Sequence, residues 1–362
     1  MNRRWICNDV WMDIFPCFDR PQLGLKLALI SPRFNALVDI HFDGKSELTI
    51  WRPIIIHKNS VAAAAPELSV IIDAANSVPF PLPDRPLPSE IRFKCLQIEY
   101  IDHSVIAFLR SNHQIFDKRG IDLRLWIPCS YTADGQPIWD IFVREIWPIF
   151  STNIYHLGFS HGDHLDSLRR RTSPTILTDL NQLNSINSVD LLPDGIGDNF
   201  DGPNATAGQA LYKWLQTPRE DGQPKRLCCK LLTKQLYLDW VNDFKEEFLR
   251  ATISSVSYEI HFTVHVPSMQ MVPFELVNEL TKEKLTLTKS NESEWDNNCW
   301  IMKRCKFEET AAVQQQKEGD WNNVFIRLFS GTNSIGPLSP PSAAEEEEAG
   351  QSITKGASSA NE

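Results

Sequence analysis

The chain opens with apolar residues at helical spacing. Ile6, Val10 and Ile14 follow one another at intervals of four residues, which predicts an amphipathic helix. Phe15 extends its apolar face. A second helix start follows at Asp19-Arg-Pro-Gln22, where an aspartate can cap the first turn, a proline occupies it, and a glutamine stands at the reciprocal capping position. The pattern therefore predicts two successive helices.

Ser31-Pro32 predicts the start of a third helix. Proline biases the residue before it away from helical dihedral angles, so the second helix should end near Ile30. Ser31 can then cap a third helix that carries Pro32 in its first turn. The apolar stripe of the second helix contains Leu23, Leu27 and Ile30, and that of the third contains Phe34, Leu37, Val38 and Phe42.

Three helices this short cannot bury all of their apolar side chains among themselves. The side chains in excess are Trp11, Phe15, Phe18, Leu25 and Leu29. Each large apolar side chain that becomes fully buried contributes about 1.5–3 kcal/mol, so a partner surface is a natural place for this excess. The alternative is that the segment is the first helical hairpin of a larger domain.

From about residue 94, short apolar runs typical of strands alternate with helix-like segments. The strand-like runs are 95–100, 122–127, 154–159, 189–192, 226–231 and 256–262, and the helix-like segments are 103–117, 138–150, 163–183, 205–216 and 237–252. This alternation predicts an irregular leucine-rich-repeat-like arc. A compact parallel α/β domain is the alternative.

Three other segments have a different character. Residues 43–93 include a proline-rich stretch, which predicts an irregular linker with local extended structure. Residues 266–330 alternate apolar and polar positions between polar turns, as in a small antiparallel sheet. Residues 331–362 contain Glu345–Glu348 and predict a disordered acidic tail. The expected organisation is an α+β multidomain chain with a helical module at 5–42, a linker at 43–93, strand–helix units at 94–265, an antiparallel region at 266–330 and a tail at 331–362.

Composition and charge argue against several classes of function. The formal net charge is −10, whereas a binder of nucleic acid or of an anionic membrane usually presents a basic face. No stretch approaches 18 uncharged apolar residues, and Asp9 and Asp13 interrupt any signal-type segment, so we expect neither a membrane span nor a secretory signal. Eight cysteines without a CxxC pair are typical of free thiols, which predicts an intracellular protein of the cytoplasm or nucleus.

No set of residues predicts catalysis, and we expect no cofactor and no bound metal. His161-Gly-Asp163-His164 is the best candidate for a metal or acid–base site, but it lacks a matched second cluster, so a polar loop is favoured. Asp194–Gly202 resembles a calcium loop only superficially, because its acids are wrongly spaced. Phe200 rules out a GxGxxG motif with Gly195 and Gly197. Cys228-Cys229 lies in an apolar strand and is expected in the core.

Residues 5–42 resemble an F-box. The usual pattern reads Leu-Pro-x-Glu-Leu, Ile-Phe, Leu, Asp-Leu, Val-Ser-Arg-x-Phe and Leu, and the corresponding positions here are Ile6–Val10, Ile14-Phe15, Phe18, Gln22-Leu23, Ile30–Phe34 and Leu37. Cys7 replaces the usual proline, and Pro32 adds a residue before the arginine. The resemblance implies binding to a Skp1-like adaptor and, through it, to a cullin. The residues that it assigns to adaptor binding are Ile6, Val10, Trp11, Ile14, Phe15, Phe18, Leu23, Leu27, Ile30, Phe34 and Leu37.

The body of the chain resembles the large associated regions of F-box proteins that are expanded in nematodes. The phrases that carry this resemblance lie at 144–150, 168–174, 208–215 and 272–278. It implies a non-catalytic substrate-recognition subunit of an SCF-type (Skp1–cullin–F-box) ubiquitin ligase, which captures an unknown protein substrate for ubiquitination and proteasomal degradation. The alternative is an F-box-bearing interaction scaffold that binds the adaptor without delivering targets.

Overall fold

The structure is a computed structural model of the 362-residue chain. The residues that it describes are 6–18, 22–42, 48–50, 53–58, 66–71, 77–83, 86–87, 91–93, 95–117, 120–127, 135–195, 202–231, 235–253, 256–264, 271–290, 299–306, 322–328 and 335–336.

Three of the described helices, α3, α4 and α9, begin at a capping side chain that the sequence provides. The described helices are α1 (Asn8–Ile14), α2 (a π-helical turn, Leu23–Leu27, continued by Ala28–Ile30), α3 (Pro32–Phe42), α4 (His103–Ser111), α5 (Gln114–Asp117), α6 (Gly135–Ile141, continued by the π-helical turn Phe142–Ile146 and by Trp147–Phe150), α7 (Asp163–Arg171), α8 (Ile176–Asp179), α9 (Ala207–Gln216) and α10 (Gln235–Arg250). α2 ends at Ile30 because Ser31 is extended, and the Ser31 hydroxyl accepts a hydrogen bond from the Phe34 amide of α3. Thr206 and Gln209 cap α9 reciprocally. None of the described helices has the length and apolar character needed to cross a membrane.

Within the described ranges, thirteen strands form one mixed sheet, and two more form a short parallel pair. The strands are β1 (Leu48–Ile50), β2 (Ile54–His57), β3 (Glu67–Ile71), β4 (Ser77–Pro81), β5 (Ile91–Phe93), β6 (Cys95–Ile98), β7 (Ile121–Trp126), β8 (Ile154–Phe159), β9 (Ser185–Val189), β10 (Lys225–Leu231), β11 (Tyr258–Val264), β12 (Phe274–Asn278), β13 (Glu283–Lys289), β14 (Cys299–Lys306) and β15 (Asn322–Arg327). The large sheet has the order β12-β13-β14-β11-β10-β9-β8-β7-β15-β6-β2-β3-β4, and β1 pairs with β5.

The centre of the large sheet is parallel and its two margins are antiparallel. β2, β6, β15, β7, β8, β9, β10 and β11 run in the same direction. β3 and β4 continue one margin, and β14, β13 and β12 continue the other, by antiparallel pairing. From β7 to β11 each strand lies beside the next one in the sequence. Right-handed connections between such consecutive parallel strands place their helices on one side of the sheet.

One face of the sheet is apolar and packs against helices. The register places Leu123, Leu157, Ile186, Leu227 and Ile260 side by side across β7–β11, and all five are buried. On this face the rings of α10 contact β11, with Phe244 at 6.3 Å from Tyr258 and Trp240 at 6.1 Å from Phe262. α2 reaches the same face at the other margin, where the Lys26 ammonium lies 5.0 Å from the Phe80 ring of β4. The continuous core therefore lies between this face and the helices.

The strand and helix predictions for residues 94–265 agree with the structure in kind and nearly in position. β9 is displaced: it was expected at 189–192 and lies at Ser185–Val189. Its polar Asn187 belongs to the strand, whereas Leu191 and Leu192 follow the strand end and pack partly buried against the core.

The structure differs from the prediction at both ends of the chain. Residues 43–93 were expected to be a linker, but β2, β3 and β4 within them belong to the large sheet. Residues 266–330 were expected to form a separate antiparallel sheet, but β12–β14 continue the large sheet and β15 lies parallel at its centre, between β6 and β7. An α+β multidomain arrangement was expected, whereas the structure has one large mixed sheet packed against helices, which is a mixed α/β fold. Of the expected acidic tail only 335–336 lie within the described residues, and Gly336 donates a hydrogen bond to the Ile101 carbonyl.

The central position of β15 is testable by truncating Ile326. Its side chain is fully buried and lies in register with Ile98 on one side and Leu125 on the other. Ile326→Ala should lower the free energy of unfolding in urea by about 2–5 kcal/mol. The truncation leaves a cavity at the centre of the sheet, where the neighbouring side chains cannot move to fill it. The exposed Leu280 provides a control, and Leu280→Ala should change that free energy by less than about 0.5 kcal/mol. Equal losses in the two variants would contradict the position of β15.

Candidate protein-interaction surfaces

The three N-terminal helices pack through aromatic contacts and one arginine. The Trp11 ring of α1 meets the Phe34 ring of α3 edge-on at 4.8 Å, and the Phe15 ring lies 5.6 Å from His41. The Arg33 guanidinium donates to the Ile6 carbonyl through Nη2 at 2.6 Å and to Asn8 Oδ1 at 2.7 Å. Arg33 therefore fixes the start of α3 beside the start of α1.

The expected adaptor-binding residues divide into three groups by exposure. The buried ones are Phe15, Leu23 and Leu37. The partly buried ones are Trp11, Ile14, Leu27 and Phe34. The exposed ones, each between 36% and 60% accessible, are Ile6, Val10, Phe18 and Ile30. Helical spacing identified these residues as apolar-face positions, except Trp11 and Phe18, which were surplus apolar side chains. It could not separate core from surface, because that depends on how the helices pack. The expected helix start at 19–22 lies mostly outside the described residues.

One further exposed apolar residue was not anticipated. Ile40 of α3 is exposed, as are Ala36 and Pro32, which lie one and two turns before it. The spacing of four residues places the three on one helical stripe, opposite the buried Leu37 and Val38. The signal was available in the sequence as this second, weaker stripe. We call Ile6, Val10, Phe18, Ile30 and Ile40 the exposed N-terminal apolar set.

The second face of the large sheet is polar, and we call it the open sheet face. Its side chains alternate with the core positions and include Gln97 and Glu99 near β6, Phe325 and Arg327 on β15, Asp122, Arg124 and Trp126 on β7, His156 on β8, Asn187 on β9, Arg226, Cys228 and Lys230 on β10, Glu259, His261 and Thr263 on β11, and Ile301 and Lys303 on β14. Many of them are exposed or partly exposed, in contrast to the buried residues of the other face.

Glu259 organises the charges at one end of the open sheet face. Its carboxylate lies 3.2 Å from His261 Nε2, 3.2 Å from Lys303 Nζ and 3.4 Å from Arg226 Nη2, and its side chain is only 8% exposed. The hydrogen bond from His261 and the charges of Lys303 and Arg226 outweigh the burial and lower the pKa of Glu259 to about 2. The carboxylate is therefore ionised and holds three side chains of three strands in place.

Arginines and aromatic rings share the middle of the open sheet face. Arg124 binds the Asp122 carboxylate at 2.8 Å and lies 5.2 Å from the Phe325 ring. The Arg327 guanidinium lies 4.9 Å from the ring of the exposed Trp126. The Arg124 side chain crosses Gly158, where an added Cβ would come within 3.1 Å of Arg124 Cγ. Tryptophan and arginine are the residues most enriched in the energetic centres of protein interfaces, so this area suits a protein partner.

His161 and His164 do not converge on a common ligand position. His164 is buried, its ring lies 5.7 Å from Trp139, and Nδ1 is 3.5 Å from the Ser160 hydroxyl. Burial, with the neighbouring His161, lowers its pKa to about 4, so it is a neutral core imidazole. His161 is exposed beside Asp163. Within the described ranges no group of three or more potential ligands could hold a metal ion.

The remaining candidate motifs are the Cys228-Cys229 pair and the calcium-like loop. Cys229 is buried on the helix side of β10, and Cys228 is partly buried on the open sheet face. Burial raises the pKa of the Cys228 thiol to about 11 and that of the Cys229 thiol to about 12. The seven described cysteines are free thiols. Most of the calcium-like loop 194–202 lies outside the described residues.

A cavity of about 890 Å³ lies between α9 and α10. Its walls include the rings of Tyr212, Trp240 and Phe244 and the carboxylate of Glu247. Burial raises the pKa of Glu247 to about 7, against the opposing effect of the Arg304 charge. Arg304 itself is paired with Glu283 at 2.7 Å. The cavity thus has aromatic walls and one carboxyl group that titrates near neutral pH.

The Glu259 network is testable through the pH dependence of stability. Its pKa of about 2 lies below the ordinary value of 4.5, so the stabilisation that it supplies is complete above pH 4.5 and is lost as the pH falls towards 2. Glu259→Gln should therefore lower the free energy of unfolding near neutral pH by at most about 3 kcal/mol, and the deficit should shrink below pH 4.5. Urea unfolding at a series of pH values measures this. Glu275→Gln, at an exposed pair with Lys284, is the control, and a deficit that does not change with pH would contradict the assignment.

The chain shows no match to a known family. Neither the protein-family models, nor the curated proteins, nor the solved structures match it. What the protein does must therefore be inferred from its own residues and their geometry.

Proposed function

We propose that the chain is a substrate-recognition subunit of an SCF-type ubiquitin ligase. Its N-terminal helices bind a Skp1-like adaptor and, through it, a cullin. Its strand–helix body binds a target protein, and the other subunits transfer ubiquitin to that target and so mark it for the proteasome. The observation that carries the proposal is the exposed N-terminal apolar set on a short three-helix segment.

The division of the F-box-like positions supports this assignment. Phe15, Leu23 and Leu37 form the interior of the helical segment, whereas Ile6, Val10 and Ile30 remain in water. Each of these side chains is about half exposed, so complete burial by a partner contributes up to about 1.5 kcal/mol per side chain. A segment that only capped the sheet has no comparable reason to keep several large aliphatic side chains exposed.

The body supplies a surface that suits a protein target. The open sheet face carries the Trp126–Arg327 pair and the Glu259 network on rigid strands. Side chains that are held in place before binding lose little conformational entropy on contact. The unknown target is therefore proposed to bind across this face.

The finer architecture is part of the proposal. The consecutive order β7-β8-β9-β10-β11, without a reversal, is the order of a repeat arc and supports a leucine-rich-repeat-like arrangement over a doubly wound α/β domain. Residues 5–42 are proposed to be the F-box. An adaptor of a cullin ligase acts in the cytoplasm or nucleus, and the free thiols are compatible with that compartment.

Adaptor binding is tested by charging the exposed side chains. Val10→Asp combined with Ile30→Asp should reduce the amount of a recombinant Skp1-like adaptor that co-purifies with the full chain at least tenfold, because the two lost contacts together are worth more than about 1.4 kcal/mol. Both positions are exposed, so the thermal unfolding temperature should stay close to that of the wild type. Changes at Phe15 or Leu23 are unsuitable, because they disrupt the core.

A matched control carries the same charges elsewhere. Ile253→Asp combined with Leu280→Asp alters two exposed aliphatic side chains of the body and should leave adaptor binding unchanged. The proposal fails if the wild type does not retain the adaptor, or if both double variants retain it equally. Reconstitution with the cullin and ubiquitin-transfer enzymes then separates a substrate receptor from a scaffold that binds the adaptor alone.

A further inference from the structure

A small cavity with basic walls lies at the end of α9. Its volume is about 150 Å³, and the turn after α9, the starts of β10 and β11 and the end of β14 surround it. The charged side chains that line it are Arg219, Lys225 and Lys306, with no carboxylate among the lining residues. We call it the cationic cavity. In a chain of net charge −10, three positive side chains around one small space form an unusual local excess.

Lys225 is a buried cation, and it has no counter-ion among the described residues. The residue is 6% exposed, its Nζ donates to the Trp214 carbonyl at 2.7 Å, and it lies 5.0 Å from the Trp214 ring. Among the described residues no carboxylate forms an ion pair with it. Burial and the neighbouring Arg219 charge lower the pKa of Lys225 to about 8. Buried charges in proteins are normally paired with an opposite charge, and the Trp214 carbonyl and ring provide only partial compensation for this ammonium.

The guanidinium of Arg219 is paired with a carboxylate through only two of its three nitrogens. Its Nε donates to Asp221 Oδ1 at 2.9 Å, and its Nη2 donates to the other oxygen of the same carboxylate. The side chain is 9% exposed, and Nη1 is buried without a hydrogen-bond partner among the described residues. Asp221 balances the charge of Arg219, which leaves Lys225 and the exposed Lys306 uncompensated.

We propose that the cationic cavity binds a phosphate-class oxyanion. Cavities for drug-sized ligands measure about 300–1,000 Å³, so a space of about 150 Å³ takes a single tetrahedral group but not a nucleoside. The group is either free inorganic phosphate or the phosphate of a phosphorylated side chain. Its negative charge supplies the counter-ion that Lys225 lacks, and Lys306 holds it from the solvent side. This inference rests on these residues alone and is independent of what the N-terminal helices bind.

The first experiment is calorimetric titration of the full chain with sodium phosphate, against sodium chloride of equal ionic strength. Wild type should bind phosphate saturably with a dissociation constant of about 1 mM or lower. Lys225→Met should weaken binding at least tenfold. It keeps the unbranched side chain and removes an unpaired buried charge, so the fold should be retained. Lys306→Met, at the surface, should weaken binding severalfold without affecting the fold.

The matched control is Lys230→Met. Lys230 lies on the same strand as Lys225 but is exposed on the open sheet face, so its loss should leave phosphate binding unchanged. No saturable binding to the wild type, or wild-type affinity in Lys225→Met, overturns the proposal. An equal loss in Lys230→Met also overturns it, because binding would then follow overall charge.

The pH dependence gives an independent readout. Sulfate is the probe, because its charge is constant across this range. Its affinity for the wild type should fall above about pH 8, where Lys225 loses its proton. The other charged groups at the cavity are Arg219, which is paired with Asp221, and Lys306 of β14. Lys225→Met should show a flat profile. A flat profile in the wild type contradicts the role of Lys225.

The source of the phosphate is decided by a third titration. A short phosphoserine peptide and its unphosphorylated form are compared with inorganic phosphate. Tighter binding of the phosphopeptide indicates a phosphorylated partner, and tighter binding of inorganic phosphate indicates the free anion. Saturable binding of both peptide forms with equal affinity overturns the proposal, because the cavity would then not recognise the phosphate group.

Discussion

Much of this protein follows from the one-sided burial of its large sheet. Parallel strands that follow one another in sequence are joined by right-handed connections, which place their helices on one face. Every second strand residue must then be apolar, and Leu123, Leu157, Ile186, Leu227 and Ile260 form the continuous row that results. The residues between them face outward, where polar and charged side chains are accommodated. The open sheet face, with its fixed charges and rings, is a direct product of this constraint.

Local elements were readable from the sequence because their signals are local. Apolar periodicity located β6–β8, β10 and β11, and Ser31-Pro32 located the boundary between α2 and α3. The sheet order was not readable, since the pairing of β15 with β6 and β7 joins residues 322–327 to residues 95–98 and 121–126. The prolines of residues 43–93 suggested a linker, yet Pro79 and Pro81 lie in β4, an edge strand that tolerates a missing amide donor.

The surfaces were only partly predictable, because they too depend on contacts between residues that are far apart in the sequence. Helical spacing marked both Phe15 and Val10 as apolar-face residues, and only packing separates the buried one from the exposed one. The Glu259 network brings together side chains of β10, β11 and β14, and the cationic cavity needs the ends of several elements. The sequence contains one signal of the cationic cavity. Lys225 stands at a core-facing position of a strand whose other core-facing residues are apolar or cysteine.

The insertion of β15 between β6 and β7 also determines when the sheet can be completed during synthesis of the chain. A ribosome releases β6 and β7 long before it reaches Asn322, so for most of synthesis the nascent sheet has a gap with two unpaired strand edges. Such edges are templates for strands of other molecules, so the incomplete chain is exposed to aggregation until β15 pairs. A premature stop codon shortly before Asn322 would therefore remove a central strand of the sheet. The facing edges of β6 and β7 would then stay unpaired and prone to aggregation, although the deleted residues lie far along the sequence from both strands.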